Sequence, residues 1–171
     1  MFLKQLSLLS RFALLLLLTL AVGCGKTPKL GEYVKLDERP VLCVPDDKGL
    51  VYFIREDSFW DCGISYYITE NKARIGALEN ASYFVIEANS GAHTYSASTS
   101  NETTVTVDVE NGQAVYILCG VSLGAVMAPS LTEVTEDVAM RILEDQDIRY
   151  LQKRSLKEFE EWQAEREPVK R

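Results

Sequence analysis

The sequence predicts a mainly β fold: a small antiparallel β-sandwich of about seven strands, with an N-terminal signal peptide and a C-terminal α-helical segment. Three patterns in the 171-residue chain support this prediction. An apolar stretch opens the chain, short strand-like segments separated by turn residues fill its middle, and apolar residues at helical spacing mark its end. The predicted domains are a lipoprotein signal peptide at 1–23, a lipidated tether at 24–48, a β-sandwich at 49–134 and a helical segment at 135–167.

The first 23 residues have the parts of an export signal. Lys4 and Arg11 supply positive charge, residues 12–22 are apolar except for Thr19, and small residues precede Cys24. Eleven residues cover about half of a ~30 Å hydrocarbon core, so the stretch is predicted to be a cleaved signal and not a membrane span.

The segment Leu20-Ala21-Val22-Gly23-Cys24 resembles the lipobox of bacterial lipoproteins. The resemblance implies cleavage before Cys24, a diacylglyceryl group on its sulfur and attachment to a membrane through lipid. Gly25 stands where an Asp would resemble an inner-membrane retention signal, so the expected location is the outer membrane, facing the periplasm. The alternative is an ordinary cleaved signal followed by a structural cysteine.

Residues 24–48 predict a tether without regular structure. The segment contains three prolines and little periodicity, and residues 41–44 are its one apolar cluster. As a flexible coil it would span roughly 27 Å, which keeps the domain close above its membrane.

Between residues 49 and 134 the pattern is that of β-strands. Thr103 to Glu110 alternates strictly, with three valines on one face and polar side chains on the other. This strand runs into Asn111-Gly112, a strong signal for a type I′ turn, and residues 113–121 return as a strand buried on both faces. The sequence therefore predicts a hairpin in which residues 105–119 pair with each other. Residues 131–134 are expected to add a last edge strand.

The C-terminal segment is predicted to be a helix with many charges. Thr135 is a suitable N-cap, with Glu136 and Asp137 in the first turn, and apolar residues from Val138 to Trp162 recur at helical spacing. Its thin apolar stripe either packs on the sandwich or binds a partner protein.

Several short motifs in residues 48–135 together resemble a known family. They are Leu50–Arg55 as an opening strand, the hairpin around Ile75-Gly76, the stretch Asn80–Phe84, and a strand start at Gly91–Thr94. In this order they are similar to bacterial lipoproteins that carry the domain of unknown function numbered 2846, which look related to PEGA-type β modules. The resemblance implies a β-sandwich lipoprotein and carries no catalytic residues.

Composition limits the chemistry that the chain is expected to perform. A formal net charge of −7 disfavours binding to nucleic acid or to an anionic membrane surface. His93 is the single histidine, and the four cysteines form no Cys-x-x-Cys motif, so neither a metal site nor a cofactor is predicted. His93 is expected to be a partly buried, hydrogen-bonded residue of a strand rather than a general base.

The cysteines suggest one disulfide. With Cys24 lipidated, three remain, of which Cys119 lies within an apolar strand and is expected to be a buried thiol. Cys43 and Cys62 both lie in loop-like segments and form the favoured pair, and the other two pairings remain open.

Aromatic residues near the second predicted strand are candidate contacts. Phe59 and Trp60 lie in a predicted loop, and Tyr66-Tyr67 places one ring on each face of a strand. The loop aromatics either contact a partner or plug the open end of the sandwich, whereas Tyr67 is a candidate contact residue.

These observations favour a non-enzymatic, lipid-anchored periplasmic module that binds or scaffolds another component of the cell envelope. Its partners would be the membrane, through the N-terminal lipid, and an envelope protein, through the C-terminal helix or the loop aromatics. Two alternatives remain: an envelope hydrolase that uses a pair of carboxylates, and a purely structural envelope lipoprotein.

Overall fold

A computed structural model describes residues 33–36, 38, 40–59, 62–98, 101–122, 128–145 and 147–153 of the chain. Within these residues there are ten strands and one helix. The strands are β1 (Tyr33–Leu36), β2 (Gly49–Arg55), β3 (Tyr66–Glu70), β4 (Ala73–Leu78), β5 (Ser82–Ala88), β6 (Gly91–Ser98), β7 (Glu102–Val109), β8 (Ala114–Ser122), β9 (Ala128–Val134) and β10 (Arg149–Lys153), and the helix is α1 (Glu136–Leu143).

The strands form two sheets, so the predicted mainly β fold is confirmed. Sheet A has six strands in the order β1-β10-β5-β2-β8-β9, and sheet B has four in the order β4-β3-β6-β7. Sheet B is antiparallel throughout, but sheet A is mixed, because β2 runs parallel to β8 and β10 runs parallel to β5. The architecture is therefore sandwich-like, with more strands than the seven expected and with two parallel pairs.

The predicted hairpin around Asn111-Gly112 is wrong at the level of pairing. A turn forms there, in which the Gln113 N–H donates to the Glu110 carbonyl oxygen at 3.3 Å and Gly112 has a φ of +74°. It is not the predicted type I′ turn, because Asn111 does not have the positive φ that this type requires. The flanking strands, however, enter different sheets, with β7 paired to β6 and β8 inserted between β2 and β9. A turn determines only the local direction of the backbone. Strand β8 lies inside sheet A, between β2 and β9, because its apolar side chains on both faces are buried there.

The core between the sheets is centred on Phe53 of β2. Its ring stacks on Phe84 of β5 at 4.8 Å between centroids and meets Tyr95 of β6 edge-on at 5.0 Å. Because β5 belongs to sheet A and β6 to sheet B, this aromatic trio joins the two sheets. All three side chains are buried, and aromatic pairs in these geometries stabilise beyond the area they bury.

A second apolar cluster lies on the opposite, outer face of sheet A. Helix α1 places Ala139 and Leu143 against Ile54 of β2, Tyr83 of β5 and Tyr116 of β8. Ile148, which follows the helix, completes the buried part of this cluster. Both faces of sheet A are therefore covered around β2, which explains the nearly continuous burial of that strand.

The C-terminal segment differs from the predicted helix over 135–167. The helix ends at Leu143, and residues 149–153 form strand β10 instead of continuing the apolar stripe. Ile148 packs in the outer cluster while Leu151 packs between the sheets, so these two residues do not share one helical face. Residues 154–167 of the predicted helix lie outside the described residues, and the predicted edge strand at 131–134 is confirmed as part of β9.

Part of the predicted tether belongs to the sheet. Residues 33–36 form β1 and pair with β10, which brings Tyr33 opposite Lys153, and the Tyr33 side chain is buried in the core. The segment that follows, residues 40–48, carries no strand and leads into β2. The predicted signal peptide at 1–23 and Cys24 lie outside the described residues.

Close packing at Gly76 provides a test of the core. A Cβ at this position would overlap the ring of Phe84, so Gly76→Ala is expected to lower the free energy of unfolding by about 1–3 kcal/mol in urea denaturation. Gly63→Ala is the matched control, because nothing lies within 4 Å of the methyl carbon that this substitution would add. Equal stability of the two variants would contradict this packing.

Candidate functional site

The outer face of sheet B is a polar surface made by strand alternation. Inward side chains of its strands are buried, among them Ile68, Tyr95 and Val107, and the side chains between them point outward. We call this surface the hydroxyl face, and its residues are Tyr67, Thr69, Arg74, Thr94, Ser96, Ser98, Thr104 and Thr106. Five of the eight residues are exposed: Arg74, Thr94, Ser98, Thr104 and Thr106.

Strand register aligns the hydroxyl groups of this face in rows. Thr94 on β6 lies opposite Thr106 on β7, and their Oγ1 atoms are hydrogen-bonded at 2.9 Å. Ser96 lies between Thr69 on β3 and Thr104 on β7. The rows consist of uncharged groups that both donate and accept hydrogen bonds.

Tyr67, a predicted contact residue, occupies one corner of the hydroxyl face, where its side chain is half-buried and packs against the core cluster. It lies opposite Ser98, and the guanidinium of Arg74 lies over its ring, with Cζ 3.4 Å from the ring centroid. The contact is a cation–π interaction, and the Arg74 side chain that makes it is exposed.

The loop aromatics are not part of this face. Phe59 lies between β2 and β3 with 78% of its surface exposed, so its ring does not close the end of the sandwich. Trp60 lies outside the described residues. Of the three candidate contact aromatics, the structure thus assigns Tyr67 alone to the hydroxyl face.

A cleft lies at the end of sheet A where the parallel strands β2 and β8 separate. It has a volume of about 340 Å³ and is lined by the loop Glu56–Ser58, by Leu118–Val121 of β8 and by Ser130 and Thr132 of β9. Arg55 forms part of its wall; this side chain is 1% exposed, and Nη1 donates to the Ile64 carbonyl oxygen at 2.6 Å. The sequence analysis did not predict that Arg55 is buried. The signal that could have indicated it is the position of Arg55 at the end of an otherwise apolar strand.

Asp57 of that loop has a structural contact. Asn80 accepts a hydrogen bond from the Ser58 N–H at 3.0 Å and donates one to Asp57, so the loop is fastened to the turn before β5. In the part of the chain that the structure describes, no three His, Cys, Asp or Glu side chains are grouped so that they could hold a metal ion.

His93 is held between two hydrogen-bond acceptors, in agreement with its predicted structural role. Nδ1 lies 2.6 Å from Glu70 Oε1, and Nε2 lies 2.9 Å from the Asn89 carbonyl oxygen. The imidazolium form satisfies both acceptors at once, and the hydrogen bond to Glu70 is the main reason that the pKa of His93 is raised. The pair joins β6 to β3, its neighbour in sheet B.

Four tyrosines around the outer cluster of sheet A were not singled out from the sequence. Tyr52 and Tyr116 have ring centroids 5.0 Å apart, and Tyr83 and Tyr150 have centroids 5.2 Å apart. Burial raises the pKa of Tyr116 to about 12. Helix α1 partly covers these rings, so they serve the packing of the helix on the sheet.

The predicted Cys43–Cys62 disulfide is wrong. Cys43 is a free, exposed thiol and Cys119 is a free, buried one, whereas Cys62 is disulfide-bonded, so Cys43 and Cys62 are not paired with each other. The chain enters β2 from the side of Cys43 and leaves it toward Cys62, and the two ends of this seven-residue strand are about 20 Å apart. The prediction that Cys119 is a buried hydrophobic thiol is confirmed, and burial raises its pKa.

Comparisons with known proteins add no family to this description. No protein-family model, curated protein or solved structure matches the chain. Among the described residues, no helix has the length and apolar character needed to cross a membrane.

The contacts of His93 predict a pH-dependent stability. Because its pKa is raised in the folded protein, its stabilising contribution is complete below about pH 6.5, the ordinary value, and is lost as the pH rises through the folded-state pKa. Glu70→Gln is expected to lower the pKa of His93 and to flatten this dependence. The single histidine gives one imidazole signal in a proton NMR titration, and an unchanged midpoint in the variant would contradict the assignment.

Burial predicts different reactivities for the two free thiols. A maleimide reagent is expected to modify Cys43 in the folded protein, because it is exposed, and to modify Cys119 only after denaturation, because it is 1% exposed and its raised pKa disfavours the thiolate. Peptide mapping by mass spectrometry identifies the modified residue. Rapid labelling of Cys119 under native conditions would show that β8 is not buried as described.

Proposed function

We propose that the protein is a non-enzymatic, lipid-anchored module of the outer membrane that faces the periplasm and binds another component of the cell envelope. The lipid would be attached at Cys24, as the lipobox resemblance implies. The observation that carries the binding function is the hydroxyl face, a polar surface of sheet B on which five of the eight residues are exposed.

The first described strand supports an anchor close to the domain. Tyr33 begins β1 nine residues after Cys24, a distance of at most about 30 Å in a fully extended chain. Because β1 pairs with β10, the sandwich is fastened to the chain directly after that short segment. An anchored module of this kind would stay near the membrane with its sheet faces available to neighbouring components.

The contacts of the reactive side chains support a binding rather than a catalytic function. Both ring nitrogens of His93 are engaged, by Glu70 and by the Asn89 backbone. Cys119 is buried with a raised pKa, which disfavours the nucleophilic thiolate. These groups, which could otherwise serve as a base and a nucleophile, have roles in packing and strand pairing.

Replacement of Cys24 tests the anchor. Cys24→Ser is expected to abolish labelling by a radioactive fatty acid and to leave the precursor uncleaved, because the thiol is the acceptor of the lipid. Cys43→Ser is the matched control. It removes another free, exposed thiol but leaves the proposed lipid acceptor in place, so this variant should be labelled normally.

The mass of the mature N-terminal peptide provides a second measurement of the same prediction. A sulfur that carries a thioether-linked lipid cannot also form a disulfide. The lipidated peptide is expected in the wild-type protein, whereas a peptide in which Cys24 is disulfide-bonded, or a cleaved and membrane-associated Cys24→Ser protein, would contradict the proposed anchor.

A further inference from the structure

We infer that Asn111 is a site of spontaneous deamidation, and that the folded structure blocks this reaction until the turn at residues 110–113 opens. The inference concerns the one Asn-Gly pair of the sequence and is independent of the proposed binding function. It follows from the exposure of Asn111, from the hydrogen bond that the Gly112 N–H donates and from the close packing of this turn on Gly49.

The reaction uses only the groups of the Asn-Gly pair and water. The backbone nitrogen of Gly112 loses its proton and attacks Cγ of Asn111, so that an N–C bond forms and the side-chain amide leaves as ammonia. Water then opens the resulting succinimide ring and leaves either aspartate or isoaspartate at position 111. Glycine favours the attack, because it has no Cβ to hinder the approach of its nitrogen and its backbone adopts many conformations.

The side chains around the pair do not shield it. Asn111 and Gly112 are both exposed, and nothing lies within 4 Å of the position that a Cβ on Gly112 would occupy. Neither burial nor crowding therefore protects the Asn111 amide, and the protection in the folded protein must come from the backbone.

Two backbone hydrogen bonds fasten this turn to the start of β2. The Gly112 N–H donates to the Lys48 carbonyl oxygen at 2.9 Å. The Leu50 N–H donates to the Gln113 carbonyl oxygen at 3.0 Å. The first bond occupies the proton that must leave, and both bonds fix the backbone torsions that must change before the nitrogen reaches Cγ. The reaction thus requires a local opening in which these bonds break.

Gly49 allows the turn to approach β2 this closely. A Cβ on Gly49 would overlap Val109 Cγ1 and would lie 2.8 Å from the Glu110 carbonyl oxygen. A side chain at position 49 would therefore push the turn away from β2, and the bond between Gly112 and Lys48 would be weakened or lost.

Deamidation would weaken the same contact. Isoaspartate adds a methylene carbon to the backbone between positions 111 and 112, which displaces the Gly112 N–H from the Lys48 carbonyl oxygen. Either product also adds a negative charge close to the exposed carboxylate of Glu110, and like charges repel. Chains that react before they fold are thus expected to be less stable once folded.

Peptide mapping of the purified mature protein tests this inference. Native and denatured samples are incubated in the same buffer, and mass spectrometry measures the fraction of Asn111 that is converted with time. Conversion is expected to be slower by about tenfold or more in the native protein, because the reaction there requires local opening. Equal rates in the two states, or no conversion in the denatured chain, would overturn the inference.

Gly49→Ala tests the structural cause of the protection. In native buffer this variant is expected to convert Asn111 faster than the wild type, because the added methyl group displaces the turn. Gly63→Ala is the matched control and should convert at the wild-type rate, since nothing lies within 4 Å of the methyl carbon that it adds.

Maleimide labelling of the buried Cys119 separates local opening from unfolding of the whole domain. Faster conversion of Asn111 in Gly49→Ala, with Cys119 still unreactive, supports the inference. Conversion at the wild-type rate in that folded variant contradicts it. If Cys119 of the variant reacts, the variant is unfolded, and its Asn111 should then convert at the rate of the denatured wild type; a slower rate contradicts the inference.

Discussion

The structure depends on the burial of β2 on both of its faces. On the inner face, Phe53 stacks on Phe84 and meets Tyr95 edge-on, so that one side chain connects the two sheets. On the outer face, Ile54 lies beneath helix α1. A strand that is apolar on both faces is stable only where both are covered, and β2 therefore determines that sheet A lies between sheet B and the helix.

This constraint explains why the two sheets have different outer surfaces. Sheet A requires α1 and the tyrosines around it to cover an apolar outer face, and it also incorporates β1 and β10 from the two ends of the described chain. Sheet B has one apolar face, which packs on sheet A, and its strands place threonine and serine on the other side. The hydroxyl face is thus a consequence of alternation in β3, β6 and β7, and it is exposed because folding does not require its burial.

The polar groups that lie within the fold contribute to holding its parts together. His93 and Glu70 join β6 to β3, and Arg55 joins the end of β2 to the segment before β3 through the Ile64 carbonyl oxygen. Such groups must be hydrogen-bonded when they are removed from water, because an unpaired buried polar group costs free energy. The hydrogen bonds of His93 and Arg55 hold neighbouring segments of the chain together. Because these side chains are engaged in structural contacts, the binding function is proposed for the sheet face and not for them.

The mainly β character, most of the strands and the alternation that creates the hydroxyl face could be predicted from the sequence, because period-two patterns and turn residues are local properties of the chain. The buried state of Cys119 and the structural role of His93 were likewise evident from their neighbours.

Which strands pair could not be predicted in the same way. Asn111-Gly112 encodes a turn, but the destination of β8 is decided by its burial on both faces, and residues 149–153 join sheet A although their apolar spacing resembles a helix. The disulfide prediction failed for the same reason, because the length and direction of β2 separate Cys43 from Cys62. Local propensity thus determined the elements, and the need to cover both faces of β2, which involves residues far apart in the chain, decided their arrangement.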